Sequence, residues 1–273
     1  MENLVLGKAV GYADKYDPSL LQGVPRSLGR ENIKLPKSLP FNGVDIWNGY
    51  ELSWLNSKGK PVIAILRCSV PVTSPNLIES KSFKLYLNSF NQSKFESRET
   101  VRQHLQEDLS LCAGENVEVE IIGFEDFAAI QMGTLAGTVI DDLDISVSTS
   151  DISPERLKAD VSSNSQHVEE RLVSHLLKSN CLITHQPDWG SVVIHYAGPQ
   201  IDHESLLQYL ISFRQHNEFH EQCVERIFQD INTHCRPEKL TVYARYTRRG
   251  GLDINPFRSN FEQAYPDARL ARQ

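Results

Sequence analysis

The chain has 273 residues, of which 40% are hydrophobic and 23% are charged, as in ordinary globular domains. This composition excludes a disordered or collagen-like chain, and the length allows one large domain or two small ones. The net charge of −7 argues against direct nucleic-acid binding, which needs a basic footprint. No apolar run approaches the ~20 residues that span a bilayer, so no membrane partner is predicted.

The N-terminal residues, MENLVLGKAVGYADKYD, lack a basic segment followed by an apolar one, so no secretory signal is predicted. We therefore expect a cytoplasmic protein with reduced thiols. The five cysteines are Cys68, Cys112, Cys181, Cys223 and Cys235. None are spaced as CxxC, so no structural zinc site is indicated. Most are expected to be small buried residues, and one is a candidate nucleophile.

An internal repeat organises the chain. The segment YLNSF at residues 86–90 recurs as YLISF at residues 209–213, an offset of 123. The same offset pairs Val101 with Val224 and Glu107 with Asp230. We therefore predict two copies of one supersecondary unit.

The first copy is predicted to run from about Tyr50 to Phe127. After it, residues 133–166 hold the run IDDLDISVSTSDISPE, which is acidic and rich in serine and aspartate. Such a composition is typical of a connector with limited structure. The predicted domains are an N-terminal module at 1–132, a connector at 133–167 and a C-terminal module at 168–273.

The second copy shows the element order most clearly. Strands are predicted within 168–179 and at 190–197, helices at 202–213 and 218–234, and strands at 240–246 and 252–257, with a turn at 248–251. The first copy is predicted to share this ββααββ order. Such an order predicts the α+β class, with antiparallel sheets and helices packed on one face.

The copies differ in the loop between their first two strands. An alignment of residues 61–67 with 191–197 makes the second loop about seven residues longer. That loop carries Cys181 and Asp188, and loops often carry chemistry. Cys181 and Asp188 are therefore either a nucleophile and a proton donor or a packed thiol and a turn residue.

The entries to the helices differ as well. Glu221, near the start of the last helix, is either an acceptor for a guanine edge or a favourable partner of the helix dipole. In the first copy, Glu79 and Ser80 suit helix capping. Lys81 and Lys84 at the same helix end are candidates to face anionic phosphates. Because these residues are complementary, we expect one composite site to which both copies contribute.

Sequence motifs give little support for a metal site or a nucleotide-binding site. His216, His220 and Cys223 have the helical spacing of metal ligands, but HNEFH is not HExxH and a third ligand is not obvious. No GxGxxG, P-loop or GxSxG motif occurs. Spacing alone therefore identifies no cofactor.

Four segments together resemble the long, two-module form of 7-cyano-7-deazaguanine reductase, the nitrile reductase of queuosine biosynthesis and a member of the tunnelling-fold superfamily. They are ESKSFKLY at 79–86, CLITHQPDWGS at 181–191, FRQHNEFHEQC at 213–223 and YTRRGGLDINPFRS at 246–259. The resemblance implies tandem ββααββ tunnelling-fold modules. It also implies NADPH-dependent reduction of the nitrile to an aminomethyl group, in a cytoplasmic homodimer without a metal.

The same resemblance assigns roles to residues. Cys181 would form a covalent thioimide and Asp188 would donate a proton. The implied substrate-binding residues are Ile78, Glu79, Ser80, His220 and Glu221. The implied NADPH-binding residues are Ser80, Lys81, Arg249 and Gly250, with Arg248 as an additional cation. Phe219 and the loop around Trp189 are candidates for a lid.

Two alternatives remain open. One is a zinc-dependent tunnelling-fold hydrolase of GTP or a pterin that uses His216, His220 and Cys223. The other is a non-catalytic purine-binding module that keeps Glu79 and Glu221. A requirement for stoichiometric zinc would favour the first, and a lack of covalent chemistry at Cys181 would favour the second.

Overall fold

The computed structural model describes residues 13–147, 151–161 and 167–273. Residues 1–12, which belong to the N-terminal segment in which no secretory signal is predicted, lie outside the described residues. Residues 148–150 and 162–166 of the predicted connector lie outside them as well. In the described helices, no segment combines the length and the apolar character needed to cross a membrane.

The chain divides into two compact units. Unit 1 comprises Met1–Gly29, Asp45–Gln131 and Arg248–Asp253, and unit 2 comprises Arg30–Val44, Met132–Thr247 and Ile254–Gln273. The division after Gln131 lies next to the predicted module boundary at residue 132. However, residues 30–44 belong to unit 2 and residues 248–253 belong to unit 1, so neither unit is continuous in the sequence. The domain assignment to 1–132, 133–167 and 168–273 therefore stays a prediction.

Unit 1 contains a β-sheet with two long helices. Its elements are β1 (Gly23–Pro25), α1 (Arg26–Asn32, which continues into unit 2), β2 (Asn42–Leu55, whose first three residues belong to unit 2), β3 (Pro61–Pro71), β4 (Asn76–Ile78), α2 (Ser80–Ser89), α3 (Arg98–Ala113) and β5 (Glu118–Gly123). Strand β3 lies between β2 and β5 and pairs antiparallel with β5. Trp47 on β2 packs against Phe83 on α2, with ring centroids 5.3 Å apart, so this helix covers one face of the sheet.

Unit 2 repeats this architecture. Its elements are β6 (Thr138–Val139), β7 (His167–Ser174), β8 (Lys178–Asn180), β9 (Pro187–Pro199), α4 (His203–Ser212), α5 (His220–Cys235), β10 (Lys239–Tyr246) and β11 (Leu252–Ser259, whose first two residues belong to unit 1). Strands β7, β9, β10 and β11 are antiparallel neighbours, and β6 pairs parallel with β7. The predicted α+β class is confirmed, and so are the predicted helices and strands of the second copy.

The repeat is visible in the hydrogen bonds. The Ser89 hydroxyl donates to the Tyr86 carbonyl, and the Ser212 hydroxyl donates to the Tyr209 carbonyl, each over 2.6 Å. The offset of 123 is therefore confirmed for α2 and α4.

The offset changes to 122 for α3 and α5. The Tyr86 hydroxyl donates to Asp108 and the Tyr209 hydroxyl donates to Asp230, each over 2.6 Å. The predicted pairing of Glu107 with Asp230 is wrong by one position, and that of Val101 with Val224 is wrong for the same reason. The connection between the two helices is one residue shorter in unit 2.

The repeat also extends into the predicted connector. The Glu79 amide donates to the Gln22 carbonyl, and the Asp202 amide donates to the Lys158 carbonyl, each over 2.9 Å. A short 3-10 helix precedes each acceptor, at Pro18–Leu20 and Pro154–Arg156. Residues 154–158 therefore take part in the repeated arrangement, and this part of the predicted connector is more regular than its composition indicates.

The end of the first copy differs from the prediction. Only one strand, β5, follows α3 within Tyr50–Phe127, and residues Phe124–Ala129 form a 3-10 helix. The predicted closing strand of the first copy is therefore wrong. The described part of unit 1 instead includes Arg248–Asp253, whose Gly251 carbonyl accepts from the Tyr50 amide of β2 over 2.9 Å.

We expect Glu225→Ala to lower the free energy of unfolding by about 3–5 kcal/mol, because it removes the carboxylate that pairs with a buried cation. Glu225 accepts from Arg30 and from Arg258 over 2.9–3.1 Å, and the Arg258 side chain is 0% exposed. Urea denaturation measures the change. Glu99→Ala, which removes a surface partner of Arg102, is the control and should leave stability almost unchanged. A Glu225 variant as stable as this control would contradict the expectation.

Candidate active site

Cys181 lies in a tight turn between β8 and β9. Its amide donates to the Gln186 carbonyl over 2.9 Å, as the Asn56 amide donates to the Lys60 carbonyl over 2.9 Å in unit 1. The second turn is therefore only one residue longer than the first, and the predicted difference of about seven residues is wrong. The alignment of residues 61–67 with 191–197 is wrong because β9 begins at Pro187, three residues before the predicted strand.

Asp188 lies in β9 and not in a loop. It is directly opposite Ser179 of β8, and its side chain is 2% exposed. Cys181 follows β8 directly, and its backbone bond to Gln186 closes the turn next to the strand that carries Asp188.

His220 joins this hairpin to the start of α5. Its Nε2 lies 3.2 Å from Oδ1 of Asp188, although the two groups are not aligned for a regular hydrogen bond. The imidazole is stacked on Tyr246, with ring centroids 4.0 Å apart and an interplanar angle of 11°. Glu221 follows in the first turn of α5 and is buried. The structure therefore brings together Asp188 and His220, which are 32 positions apart in the chain.

The start of α5 lacks the usual cap. In unit 1, the Ser97 hydroxyl caps α3 by accepting from the Thr100 amide over 3.1 Å. Phe219 occupies the corresponding position of α5 and makes no capping hydrogen bond through its side chain. A helix start normally favours a capping serine, threonine, aspartate or asparagine. Unit 2 therefore has a half-buried phenyl ring, directly before His220, at the position where unit 1 has a capping serine.

Glu79 caps α2 in unit 1. Its carboxylate accepts from the amides of Lys81 and Ser82 over 2.9 and 2.7 Å. The capping role is therefore confirmed. A carboxylate has about four lone-pair sites, so two capping bonds leave room for further N–H donors. Ile78 precedes Glu79 and is buried at the end of β4, while Ser80 begins the helix.

The turn at 248–251 lies against α2 within unit 1. Gly250 has a φ of +56°, and a Cβ at this position would lie 3.1 Å from Cδ of Lys84. The Arg248 guanidinium lies over the Tyr50 ring at 5.6 Å. Arg249 belongs to the same turn, whose backbone is closed by hydrogen bonds with Leu252. Glycine thus allows the close approach of this turn to Lys84 in the middle of α2.

Cys181 and a second thiol in this region, Cys223, differ in burial. Burial raises the pKa of Cys223 well above its ordinary value, and the nearby Glu218 carboxylate adds to the effect. Burial likewise raises the pKa of Tyr246, with further contributions from Cys223 and Asp188. Both groups therefore stay protonated near neutral pH, and the half-buried Cys181 is the better nucleophile candidate.

The proposed zinc ligands do not form a cluster. Nε2 of His216 lies 3.1 Å from Glu218, whereas the His220 ring stacks on Tyr246. In the part of the chain that the structure describes, no group of three or more His, Cys, Asp and Glu side chains is arranged to hold a metal ion.

Sequence analysis did not single out four side chains in this region. They are Ser179, Glu218, Arg226 and Tyr246. The pairing of Ser179 with Asp188 follows from the strand register, which the misplaced loop concealed. Glu218 and Arg226 are eight positions apart and join a loop to a helix, a relationship outside the i,i+3 and i,i+4 spacings of a single helix.

Comparison with known proteins adds two family matches. Residues 12–121 match a family model described as the N-terminal part of the nitrile reductase 7-cyano-7-deazaguanine reductase. Residues 187–265 match a model described as a QueF-like protein. Among solved structures, the apo crystal structure of the archaeosine synthase QueF-Like is similar, with 18% identity and a TM-score of 0.29. That match covers 38% of this chain and 99% of the other.

Alkylation of the native protein by iodoacetamide at pH 8 is expected to modify Cys181 first. Cys68, Cys223 and Cys235 are buried, and burial raises the pKa of the partly exposed Cys112 to about 11. Peptide mass spectrometry locates the modified thiols, and protein unfolded in urea is the control in which all should react. Equal modification of Cys112 and Cys181 in the native protein would contradict this assignment.

Proposed function

Because the chain belongs to the 7-cyano-7-deazaguanine reductase family of nitrile-reducing oxidoreductases, we propose that it reduces the nitrile of 7-cyano-7-deazaguanine to an aminomethyl group with NADPH. The product is 7-aminomethyl-7-deazaguanine, an intermediate of queuosine biosynthesis. The observation that carries the proposal is the hairpin β8–β9, whose turn begins with the half-buried thiol of Cys181 and whose second strand carries the buried carboxylate of Asp188.

The thiol would make the nitrile reducible. A nitrile carbon is a weak electrophile, and addition of sulfur converts the triple bond into a C=N bond that accepts hydride more readily. In the proposed first step, the Cys181 sulfur bonds to the nitrile carbon. Asp188 takes the thiol proton and delivers it to the nitrile nitrogen. The product of this step is a covalent thioimide.

The remaining steps require two hydrides and release of the thiol. After the first hydride reaches the carbon, the carbon–sulfur bond breaks, and the Cys181 thiolate and an imine remain. The second hydride adds to the imine carbon, and a proton on nitrogen completes the amine. Four electrons are transferred in total. Because the imine reacts with water, the site must be sheltered, and Phe219 and Trp189 are the proposed lid residues.

Substrate recognition is assigned to acidic and apolar side chains. We propose that the buried carboxylates of Glu79 and Glu221 accept N–H groups of the deazaguanine. Ile78 and Ser80 would contact the ring beside Glu79. The buried His220 would contact the substrate and orient Asp188, from which its Nε2 is 3.2 Å distant.

The residues of unit 1 fit an anionic dinucleotide. NADPH, when bound, supplies the hydrides. Ser80 and Lys81 at the start of α2, with Arg249 and Gly250, are proposed to hold its phosphates, because cations and helix N-termini favour negative charge. The lack of a side chain at Gly250 lets this turn approach Lys84, whose Cδ would lie 3.1 Å from a Cβ at that position. A homodimer in the cytoplasm completes the proposal, and no direct nucleic-acid contact is proposed because the net charge is −7.

Mixing the protein with the nitrile in the absence of NADPH is expected to add one substrate mass to the intact chain. Addition of sulfur to the nitrile expels no atom, so the full substrate mass is retained. Intact-protein mass spectrometry measures the adduct. Cys181→Ala should abolish it, and Cys112→Ala, which changes another partly exposed thiol, should retain it. Amine formation without any adduct would overturn the covalent mechanism.

Lys81→Ala is expected to raise the KM for NADPH about tenfold, because it removes a charged hydrogen-bond donor from the proposed phosphate site. The KM for the nitrile should change much less. Steady-state kinetics with each substrate varied in turn measures both constants. Lys58→Ala, at an exposed turn of unit 1, is the matched control. A larger effect on the nitrile than on NADPH would refute the phosphate role of Lys81.

A further inference from the structure

The residue before the nucleophile is held by the loop that precedes α5. The Asn180 amide donates to the His216 carbonyl over 2.7 Å, and the Glu218 amide donates to the Asn180 carbonyl over 3.1 Å. Asn180 is thereby held on both sides, and Cys181 follows it directly. The position of the Cys181 backbone therefore depends on the position of residues 216–218.

That loop is in turn attached to α5 by one ion pair. The Arg226 guanidinium donates to both carboxylate oxygens of Glu218, over 2.9 and 2.7 Å. Nε2 of His216 lies 3.1 Å from the same carboxylate. Such bidentate pairing restrains orientation as well as distance. Because Arg226 projects from the second turn of a regular helix, the ion pair connects the loop to a rigid element.

The carboxylate of the pair is buried yet remains ionised. The Glu218 side chain is only 6% exposed, and the Arg226 side chain is 19% exposed. Burial alone would raise the pKa of Glu218, but the hydrogen bonds from His216 and Arg226 outweigh this effect and lower the pKa. The ion pair is therefore present throughout the neutral range of pH.

Unit 1 provides an internal comparison. There the Leu55 amide donates to the Ser93 carbonyl, and the Phe95 amide donates to the Leu55 carbonyl, each over 2.9 Å. Phe95 thus takes the place of Glu218 in the same backbone arrangement. His104 takes the place of Arg226 by the helix offset, and the Phe95 and His104 rings lie 5.5 Å apart. The same arrangement therefore forms without an ion pair in the copy that has no cysteine in the turn.

The comparison shows that this backbone arrangement forms in unit 1 without a charged pair. Replacing a buried ion pair by packed apolar groups is often neutral or stabilising. An aromatic contact of the unit 1 type holds two elements together but restrains their orientation less than a bidentate ion pair. The charges occur where the adjoining turn carries Cys181, which points to a role in orienting that turn.

We propose that Glu218 and Arg226 are positioning residues for the nucleophile. Through the backbone bonds of residues 216–218 to Asn180, their ion pair holds the Cys181 sulfur in the orientation needed for attack on the nitrile. The proposal rests on the proposed function and adds to it two residues that act through Asn180, without contact with the substrate.

The test transfers the unit 1 pair into unit 2. In the double variant Glu218→Phe/Arg226→His, the rate of adduct formation at saturating nitrile should fall roughly 10- to 100-fold, because small misplacement of a reacting group has effects of this size. The thermal unfolding temperature and the concentration of nitrile that gives half of the maximal rate should stay close to those of the unchanged protein. Stopped reactions analysed by intact-protein mass spectrometry measure the rate. Glu262→Gln, which alters an ion pair with Arg171 elsewhere in unit 2, is the control.

Glu218→Gln and Arg226→Lys extend the test if the double variant does not fold. Glu218→Gln keeps the shape of the side chain and should also slow the adduct, while Arg226→Lys keeps the charge and should restore part of the rate lost in Arg226→Gln. A folded double variant, or a folded Glu218→Gln variant, with an adduct rate within twofold of the unchanged protein would overturn the positioning role alone. Failure of the unchanged protein to form an adduct would instead overturn the proposed function, and this role with it.

Discussion

The register of the short hairpin β8–β9 is the constraint on which the candidate chemistry depends. With Ser179 opposite Asp188, the turn that begins at Cys181 lies at the end of the strand that carries the buried Asp188 carboxylate. A slip by one residue would move the Asp188 side chain to the opposite face, because side chains alternate along a strand. The Gly190 amide extends this register by donating to the Leu177 carbonyl, and the bonds of Asn180 to the loop before α5 hold it from outside.

The internal repeat shows how this site is built on a scaffold that does not need it. Both units make the same backbone hydrogen bonds at the turn, at the helix starts and at the loop between the helices. The side chains at matching positions differ. Asn56, Val62, Phe95, Ser97 and His104 of unit 1 correspond to Cys181, Asp188, Glu218, Phe219 and Arg226 of unit 2. At Val62, Phe95 and Ser97, apolar and capping groups are replaced by buried carboxylates and an uncapped helix start, which are departures from local preference expected at functional sites.

Prediction from the sequence worked best where local periodicity was strong. The helices α4 and α5 and the strand β10 were predicted within about two residues of their ends, because a helical stripe or an alternating strand is encoded by a few neighbouring residues. Loop length was the failure. The apolar runs that begin at Pro61 and at Ser191 resemble each other, so a shifted alignment matched hydrophobicity equally well. The hydrogen-bond register shows that the strand in unit 2 begins at Pro187 and not at the predicted position, and composition does not encode this register.

The sequence by itself determined the α+β class, the two copies and the identity of Cys181 and Asp188 as candidates, since these depend on residue types, periodicity and short motifs. Only the tertiary structure decided that Asp188 is a buried strand residue beside His220, and that Glu218 and Arg226 pair across a loop and a helix. The reason is that local patterns specify which elements form. Contacts between elements depend on strand register and on the packing of helices on the sheet, which bring together residues far apart in the chain.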